Sequence, residues 1–418
     1  MNARLIDGTG APPRDNQSVL LNGKHIVAVG AEAEIRQTHD VRPDVASIDL
    51  RGQTLLPGFI DAHVHILWNP DPAAPPPIVR YIPVRDAAYW KARSILYGVQ
   101  AVRMTLEAGF TTVRDLGNPN DAVFALRDSI DTGETFGARL RASGMCITHT
   151  GGHGTEGGPG DFAIVADGPD EVFKAVRKQI VAGADVIKFM GGTRPALSPP
   201  FRGRQGYTTE EMIPGVEEAH RAGLRVAAHA HSSIEGIKNC IRAGVNSVEH
   251  GYPLDDEAAG MMAERGTYLC PTLSVTPAAL KSIEAGTWTY KGSEEMIKKH
   301  VDWGPRAIEA AKKAGVKIAL GTDAAMPGVM HGGNAYEFEL LVEYGLSPLE
   351  ALICGTRNAA ENIGMFDSLG TIGPGKLADL VVIDGDPLTD IRILQQMPCI
   401  TLVFKEGVIA VDRRPARV

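Results

Sequence analysis

Short β-branched runs alternate with longer helical stretches through the middle of this chain, and they do so eight times. The strand candidates are LLPGFIDAH (55–63), FTTVRD (110–115), ARLRAS (138–143), DVIKFM (185–190), RVAAHAH (225–231), SVEHG (247–251), TYLCPT (267–272) and KIALGTD (317–323). Segments rich in Ala, Glu, Lys and Arg lie between them, with helices expected at 86–108, 169–182, 208–222, 232–243 and 303–314. Such alternation builds a parallel sheet, because each helix returns the chain and covers the face of the strands it connects. Eight repeats predict an α/β fold, a (β/α)8 TIM barrel.

The two ends of the chain read differently. RLIDGTG, SVLLNGKHIVAVG and SIDLRGQTLL at the start, and GTIGPGKLADLVVIDGDP and CITLVFKEGVIAVD at the end, alternate apolar and polar residues between Gly and Asp turns. The economical reading is a smaller β-sandwich domain assembled from 1–56 and 366–418, with the barrel occupying 57–365. A barrel of about 300 residues exceeds the typical ~250. Two loop insertions, proline-rich 68–85 and Gly/Pro/Arg-rich 191–207, account for the excess.

Composition narrows the function. Of 418 residues, 44% are hydrophobic and 22% charged, with a net charge of −8 and no Lys/Arg-rich block. Nucleic acid is therefore not an expected partner. No apolar run approaches the roughly 20 residues that span a bilayer, so no membrane association is expected. Five scattered cysteines without a CxxC pair argue against a disulfide framework and for a cytoplasmic location. A secretion leader removed upstream of NARLIDG is the alternative.

The polar residues at the strand ends carry the chemistry. In LLPGFIDAHVHIL, His63 and His65 are two apart and share one face of an extended strand. Lys188 closes the fourth strand candidate, His229 and His231 the fifth, His250 the sixth and Asp323 the eighth. The C-terminal ends of barrel strands form one mouth, so these groups converge there. Histidine and aspartate are a ligand set for a borderline metal such as zinc. Each residue alone has a plainer explanation. A histidine near a strand end is ordinarily a hydrogen-bonded core residue. Asp323 could cap a helix, and Lys188 could pair with a carboxylate. Their shared placement outweighs these separate accounts.

Lys188 needs its own chemistry to be a ligand, because an ammonium has no lone pair. Its neutral amine, favoured by burial, can take up carbon dioxide as a carbamate whose two oxygens bridge two metals. Glycine-rich THTGGHGTEGGPG (148–160) lacks the Lys-Ser/Thr ending of a phosphate loop, and HExxH is absent. His153 in that loop either contacts substrate or organises the loop. Arg202 and Arg204 in FRGRQGY offer a bidentate clamp for a substrate carboxylate, or else a solvated basic loop. Tyr207 and Trp68 are further substrate-contact candidates.

GFIDAHVH, TTVRDLG, TGGHG, VIKFMGG, EEAHRAGLRVAAHAH, GVNSVEHG, LGTDA, HGGNAYEFELLVEYGLSP and GTIGPGKLADLVVIDGDPL together resemble the amidohydrolase superfamily. The likeness is to its branch of metal-dependent dipeptidases (prolidases), related carboxypeptidases and ochratoxinase-type amidases, and it spans essentially the whole chain. It implies two divalent metals, zinc being expected. His63, His65 and Asp323 match the ligands of the more buried metal, and His229 and His250 those of the second. Lys188 matches a carboxylated bridging lysine. His231 is then left for substrate or a supporting role, and Asp323 and His153 or His231 take catalytic parts. The implied reaction is cleavage, by a metal-bridged hydroxide, of the amide bond to a C-terminal amino acid. The substrate would be an N-acyl amino acid, a dipeptide or an ochratoxin A-like aryl amide of phenylalanine. Trp68, Ile78, Tyr81, Pro195, Leu197 and Phe201 in the two insertions favour a bulky apolar group. Xaa-Pro dipeptidase activity and cyclic amide or lactone opening are the alternatives. A non-catalytic scaffold is disfavoured by the complete ligand set. A homo-oligomer is expected because relatives often assemble.

Overall fold

The computed structural model describes residues 1–42, 44–69, 87–118, 121–155, 162–192, 206–231, 233–288 and 293–414. Parallel strands Phe59–Val64, Phe110–Asp115 and Arg139–Ala142 pair side by side in chain order. A second parallel run places Val186–Met190, Arg225–Ala230, Ser247–His250 and Tyr268–Cys270 side by side.

Backbone hydrogen bonds close these runs into a ring. The Asp185 N–H donates to the Ala142 carbonyl at 2.8 Å, joining the third strand to the fourth. On the other side, the Ala319 N–H donates to the Leu269 carbonyl at 2.8 Å. The Ala62 and Asp323 N–H groups donate to Leu320 and His63 at 2.9 and 2.7 Å, returning the ring to its first strand. These are the eight segments expected from the alternation, in the expected order.

Two of them depart from regular strands. The third breaks after Ala142 and resumes as Cys146–Thr148, which pairs with Val186–Met190 and with a side strand, Ala163–Val165. The eighth holds only isolated bridges, such as Leu269 with Ile318. There the Asp61 carboxylate accepts the Thr322 N–H at 3.1 Å, taking a donor the sheet ladder would otherwise use. Asp323 follows with a left-handed φ of 58°.

Helices Ala87–Glu107, Gly168–Ala182, Thr209–Arg221 and Ile234–Ala243 occupy four of the expected stretches. Gly183 and Gly244 end two of them at φ of 97° and 92°, a conformation that costs glycine nothing and turns the chain into the next strand. The helix expected at 303–314 instead runs Glu294–Ala314. The helix continues through Pro305, with Ile297, Ala307, Ile308 and Ala311 buried along its length.

Strands from both termini form one seven-stranded sheet. Its order is Val408–Asp412, Ile400–Lys405, Leu380–Ile383, Thr54–Pro57, Ala3–Leu5, Arg14–Asn22 and His25–Gly30. Leu5, Ile26, Leu55, Leu380 and Leu402 share an apolar cluster there. Arg139 ties this sheet to the barrel, placing Nη1 2.7 Å from Asp379 and Nη2 2.7 Å from Glu406. No described helix is long and apolar enough to cross a membrane.

Candidate metal centre

The strand period of two puts His63 and His65 on the inner face of the first strand and its extension. Their ring nitrogens are then sorted by hydrogen bonds. His63 Nδ1 lies 2.8 Å from Glu249 Oε2, and His65 Nδ1 lies 2.8 Å from the Gly117 carbonyl oxygen. Both partners are acceptors, so both Nδ1 atoms carry the proton and both Nε2 lone pairs are left for the barrel mouth. Asp323 Oδ1 sits opposite them, 3.1 Å from His65 Nε2 and 3.6 Å from His63 Nε2.

The other imidazoles gather from neighbouring strands. His229 pairs in register with Met190 on one side and Glu249 on the other, and His250 pairs with Ala230. Ring centroids stand 4.5 Å apart for His229–His250 and 5.0 Å for His63–His250. Thr272 Oγ1 engages His250 Nδ1 at 2.7 Å, and His229 Nε2 is buried without a hydrogen-bond partner among the described residues. Burial first, then neighbouring charged groups, hold His229 and His250 well below the ordinary imidazole range. Neutral rings with unused lone pairs are what ligation requires. Ligand atoms of His63, His250 and Asp323 all lie within 4.8 Å of one another. His63, Glu249 and Cys270 are equally compact. There, however, Glu249 already accepts from His63, Arg114 and Ser247.

Two ligand candidates hold unusual backbone. His250 has φ of 69° and Asp323 of 58°, both in the left-handed region that non-glycine residues rarely occupy. Such conformations persist where surrounding contacts over-determine them, often at functional sites.

Lys188 is placed one pleat lower than expected. It is the central residue of Val186–Met190, level with Ala227 rather than with His229. Its side chain lines the cavity from there, 1% exposed, and Nζ has no hydrogen-bond partner among the described residues. Burial lowers its pKa, against the opposing pull of Glu249 and Asp323. A buried amine without a partner is costly as an ammonium. A neutral amine avoids that cost. The donor set could hold a metal ion. For Asp323, burial alone would raise the carboxyl pKa, but His63, His65 and Lys188 bring it to about 2.

The remaining candidates divide. Trp68 stacks on His65 at 4.8 Å, and His153 stands 4.8 Å from His229; both line the cavity, as does His231. Tyr207 does not, which corrects the expectation of a substrate contact. It is fully buried against Phe189, and its hydroxyl donates to the Ala166 carbonyl at 2.7 Å. An aromatic ring after a glycine-rich loop served core packing instead. Arg202, Arg204, Ile78, Tyr81, Pro195, Leu197 and Phe201 lie outside the described residues.

Residues that sequence reading missed support the site from behind. Glu249 joins His63 to Arg114, whose Nη2 is 2.9 Å from Oε1. Burial would raise the Glu249 pKa, but Arg114 and His63 hold it well below the carboxylate range. Asp61 accepts from the His63 and Thr322 N–H groups and from Asn334 Nδ2. Charged residues inside strand-like runs (Asp61 in GFIDAH, Arg114 in TTVRD, Glu249 in SVEHG) were the available signal, since buried charges need partners.

The sequence pattern of the amidohydrolase family matches residues 54–410. Ochratoxinase from Aspergillus niger is 33% identical over 428 aligned residues, covering 96% of this chain and 84% of the relative. Its solved structure superimposes with a TM-score of 0.83, at 30% identity and with 99% and 95% of the chains covered. A solved Xaa-Pro dipeptidase with methionine bound in its active site is 33% identical, with a TM-score of 0.82 and 97% of each chain covered. A solved prolidase complexed with N-methylphosphonate-L-proline is 31% identical, with a TM-score of 0.83 and 99% and 98% covered. A match over most of the chain, on a closed eight-unit barrel with its histidines gathered at the strand ends, shows that the chain belongs to the amidohydrolase family.

Proposed function

We propose that this hydrolase cleaves the amide bond to a C-terminal amino acid, using two divalent metal ions, zinc being expected. His63, His65 and Asp323 would hold one ion, and His229 and His250 the other. A carbamate on Lys188 would join them. The observation that carries this reading is the convergence of His63 Nε2, His65 Nε2 and Asp323 Oδ1 in the cavity that also holds a buried Lys188, whose Nζ has no hydrogen-bond partner among the described residues.

Bound divalent ions supply Lewis acidity and a lowered water pKa. The chain's own residues do the rest. Asp323, ionised above about pH 2, accepts a proton from the attacking water on its carboxylate and returns it to the leaving nitrogen. His153 and His231 line the cavity beside His229 and donate N–H groups to the carbonyl oxygen as negative charge builds there. Trp68, Phe162, Val275, Trp288 and Met326 form an apolar wall that excludes water and suits a bulky acyl or aromatic group. That wall favours N-acyl amino acids and ochratoxin A-like amides of phenylalanine. The likeness to prolidase structures supports Xaa-Pro dipeptides as a second substrate class. A soluble homo-oligomer in the cytoplasm is the proposed setting.

The test is direct. Chelator-treated protein is reconstituted with zinc and incubated with ochratoxin A, N-acyl amino acids and Xaa-Pro dipeptides, and the released amino acid is measured. Phenylalanine release dominating over proline release supports the amidase reading. Preferential proline release makes it a prolidase. Absence of any amino acid release from metal-loaded protein refutes both.

A further inference from the structure

One imidazole in the cavity, His300, has no part in the proposed metal centre or in the reaction proposed there. His300 lies on helix Glu294–Ala314, outside the ring of strands, and lines the same cavity as the strand-end histidines. It is 3% exposed, and neither of its ring nitrogens has a hydrogen-bond partner among the described residues. Its ring packs 4.1 Å from that of Tyr252, centroid to centroid, and 5.5 Å from that of His231. The Tyr252 hydroxyl is occupied, donating to the Thr272 carbonyl at 2.9 Å. Tyr252 therefore holds the His300 ring by its face and leaves its edge nitrogens unused.

Such a group is expensive to keep. A buried polar group left unsatisfied costs about 1–3 kcal/mol, and a leucine or phenylalanine would avoid that cost on this helix. The cost is recovered when a ligand supplies the missing partner. The ligand's chemistry follows from what else lines the cavity. Among the described lining residues, Lys188 is the only lysine or arginine, and it lies at the metal centre. A substrate ending in a carboxylate needs donors away from that centre. His300, its ring centroid 5.5 Å from that of His231, offers a ring N–H to an oxygen of such a carboxylate.

We propose that His300 binds the substrate's terminal carboxylate and so selects amides of free amino acids. This rests on the amide-hydrolysis reading above and adds a specificity-determining residue to it. Apolar Trp288, Met296 and Ile297 line the same end of the cavity and would surround the amino acid's side chain.

The experiment compares N-benzoyl-phenylalanine with N-benzoyl-phenylalaninamide on the zinc-loaded enzyme, in wild type, His300→Gln and His300→Phe. Phenylalanine keeps the ring stack on Tyr252 and removes both nitrogens; glutamine keeps a donor. For His300→Phe, the KM for the acid should rise on the order of tenfold or more, the loss of one good hydrogen bond to a charged group. Its kcat should change little, and turnover of the carboxamide should be unaffected. His300→Gln should recover part of the loss. Equal changes for acid and carboxamide, or no change for either, overturn the proposal.

Calorimetric binding of free phenylalanine and of phenylalaninamide separates this from failure of the hydrolysis reading. If wild type binds phenylalanine more tightly than the amide and His300→Phe loses that preference, the carboxylate subsite stands even where no turnover is seen. Equal binding of the two by wild type overturns the subsite whatever the enzyme hydrolyses.

Discussion

His63 Nδ1 lies 2.8 Å from Glu249 Oε2, and the other oxygen of that carboxylate accepts Arg114 Nη2 at 2.9 Å. All three side chains are at most 1% exposed, so the chain orients the His63 imidazole, a proposed metal ligand, with a buried ion pair. Glu249→Gln keeps the shape and removes the charge, and zinc affinity should fall about 10- to 100-fold. Arg114→Met instead leaves Glu249 buried and unpaired, which should cost about 3–5 kcal/mol of stability. Combining the two substitutions should restore part of that loss. Competition titration with a zinc chelator and chemical denaturation measure the two effects; a double variant no more stable than Arg114→Met would contradict the ion-pair account.

Asp323→Asn should fold and bind metal less tightly, with kcat falling by about 10²–10⁴-fold as proton transfer is lost. Measuring kcat at saturating zinc separates the proton role from weakened ligation. Full activity in a metal-saturated variant would remove Asp323 from the reaction.

Lys188→Ala should lower the metal stoichiometry of the purified protein, and activity with it. Wild type supplied with ¹³C-bicarbonate should show a carbamate carbon resonance that the variant lacks. Metal analysis and NMR read the two outcomes independently, and an unchanged metal content in Lys188→Ala would count against a bridging ligand.

Glu337 gives a pH prediction away from the metal. Burial pushes its pKa up to about 8, although its oxygens accept from the Leu273 and Ser274 N–H groups and the Ser274 hydroxyl. A raised carboxyl pKa means that the folded state keeps a proton the unfolded state has already released. Its contribution is complete below about pH 4.5 and is lost as pH rises to about 8, at up to about 1.4 kcal/mol per unit. Glu337→Gln cannot titrate, so its stability should be flatter than that of wild type between pH 5 and 8. Urea unfolding of both proteins across that range tests this; parallel curves would show that Glu337 ionises normally in the folded chain.

The alternation of strands and helices, and the positions of His63, His65, His229, His250 and Asp323 at strand ends, were legible in the sequence. Local patterning dictates both: hydrophobic period sets element type, and barrel topology sends every strand's C-terminal end to one mouth. That both termini build one β-domain was expected for the same reason, as alternating runs at each end need partners; that their strands pair in a single seven-stranded sheet came from the fold.

Tertiary structure alone decided the rest. Which nitrogen of His63 faces the mouth depends on Glu249, 186 residues away, and no local pattern encodes that distance. Lys188 sits one pleat below the histidines because register is fixed by neighbouring strands. Tyr207 went to the core because the Ala166 carbonyl lay within reach of its hydroxyl. His300 was hidden because the helix was expected only from 303, whereas the apolar face of Glu294–Ala314 packs as one continuous helix. Sequence specifies elements through nearest-neighbour physics; hydrogen-bond partners and cavity walls are chosen among distant residues only once those elements pack.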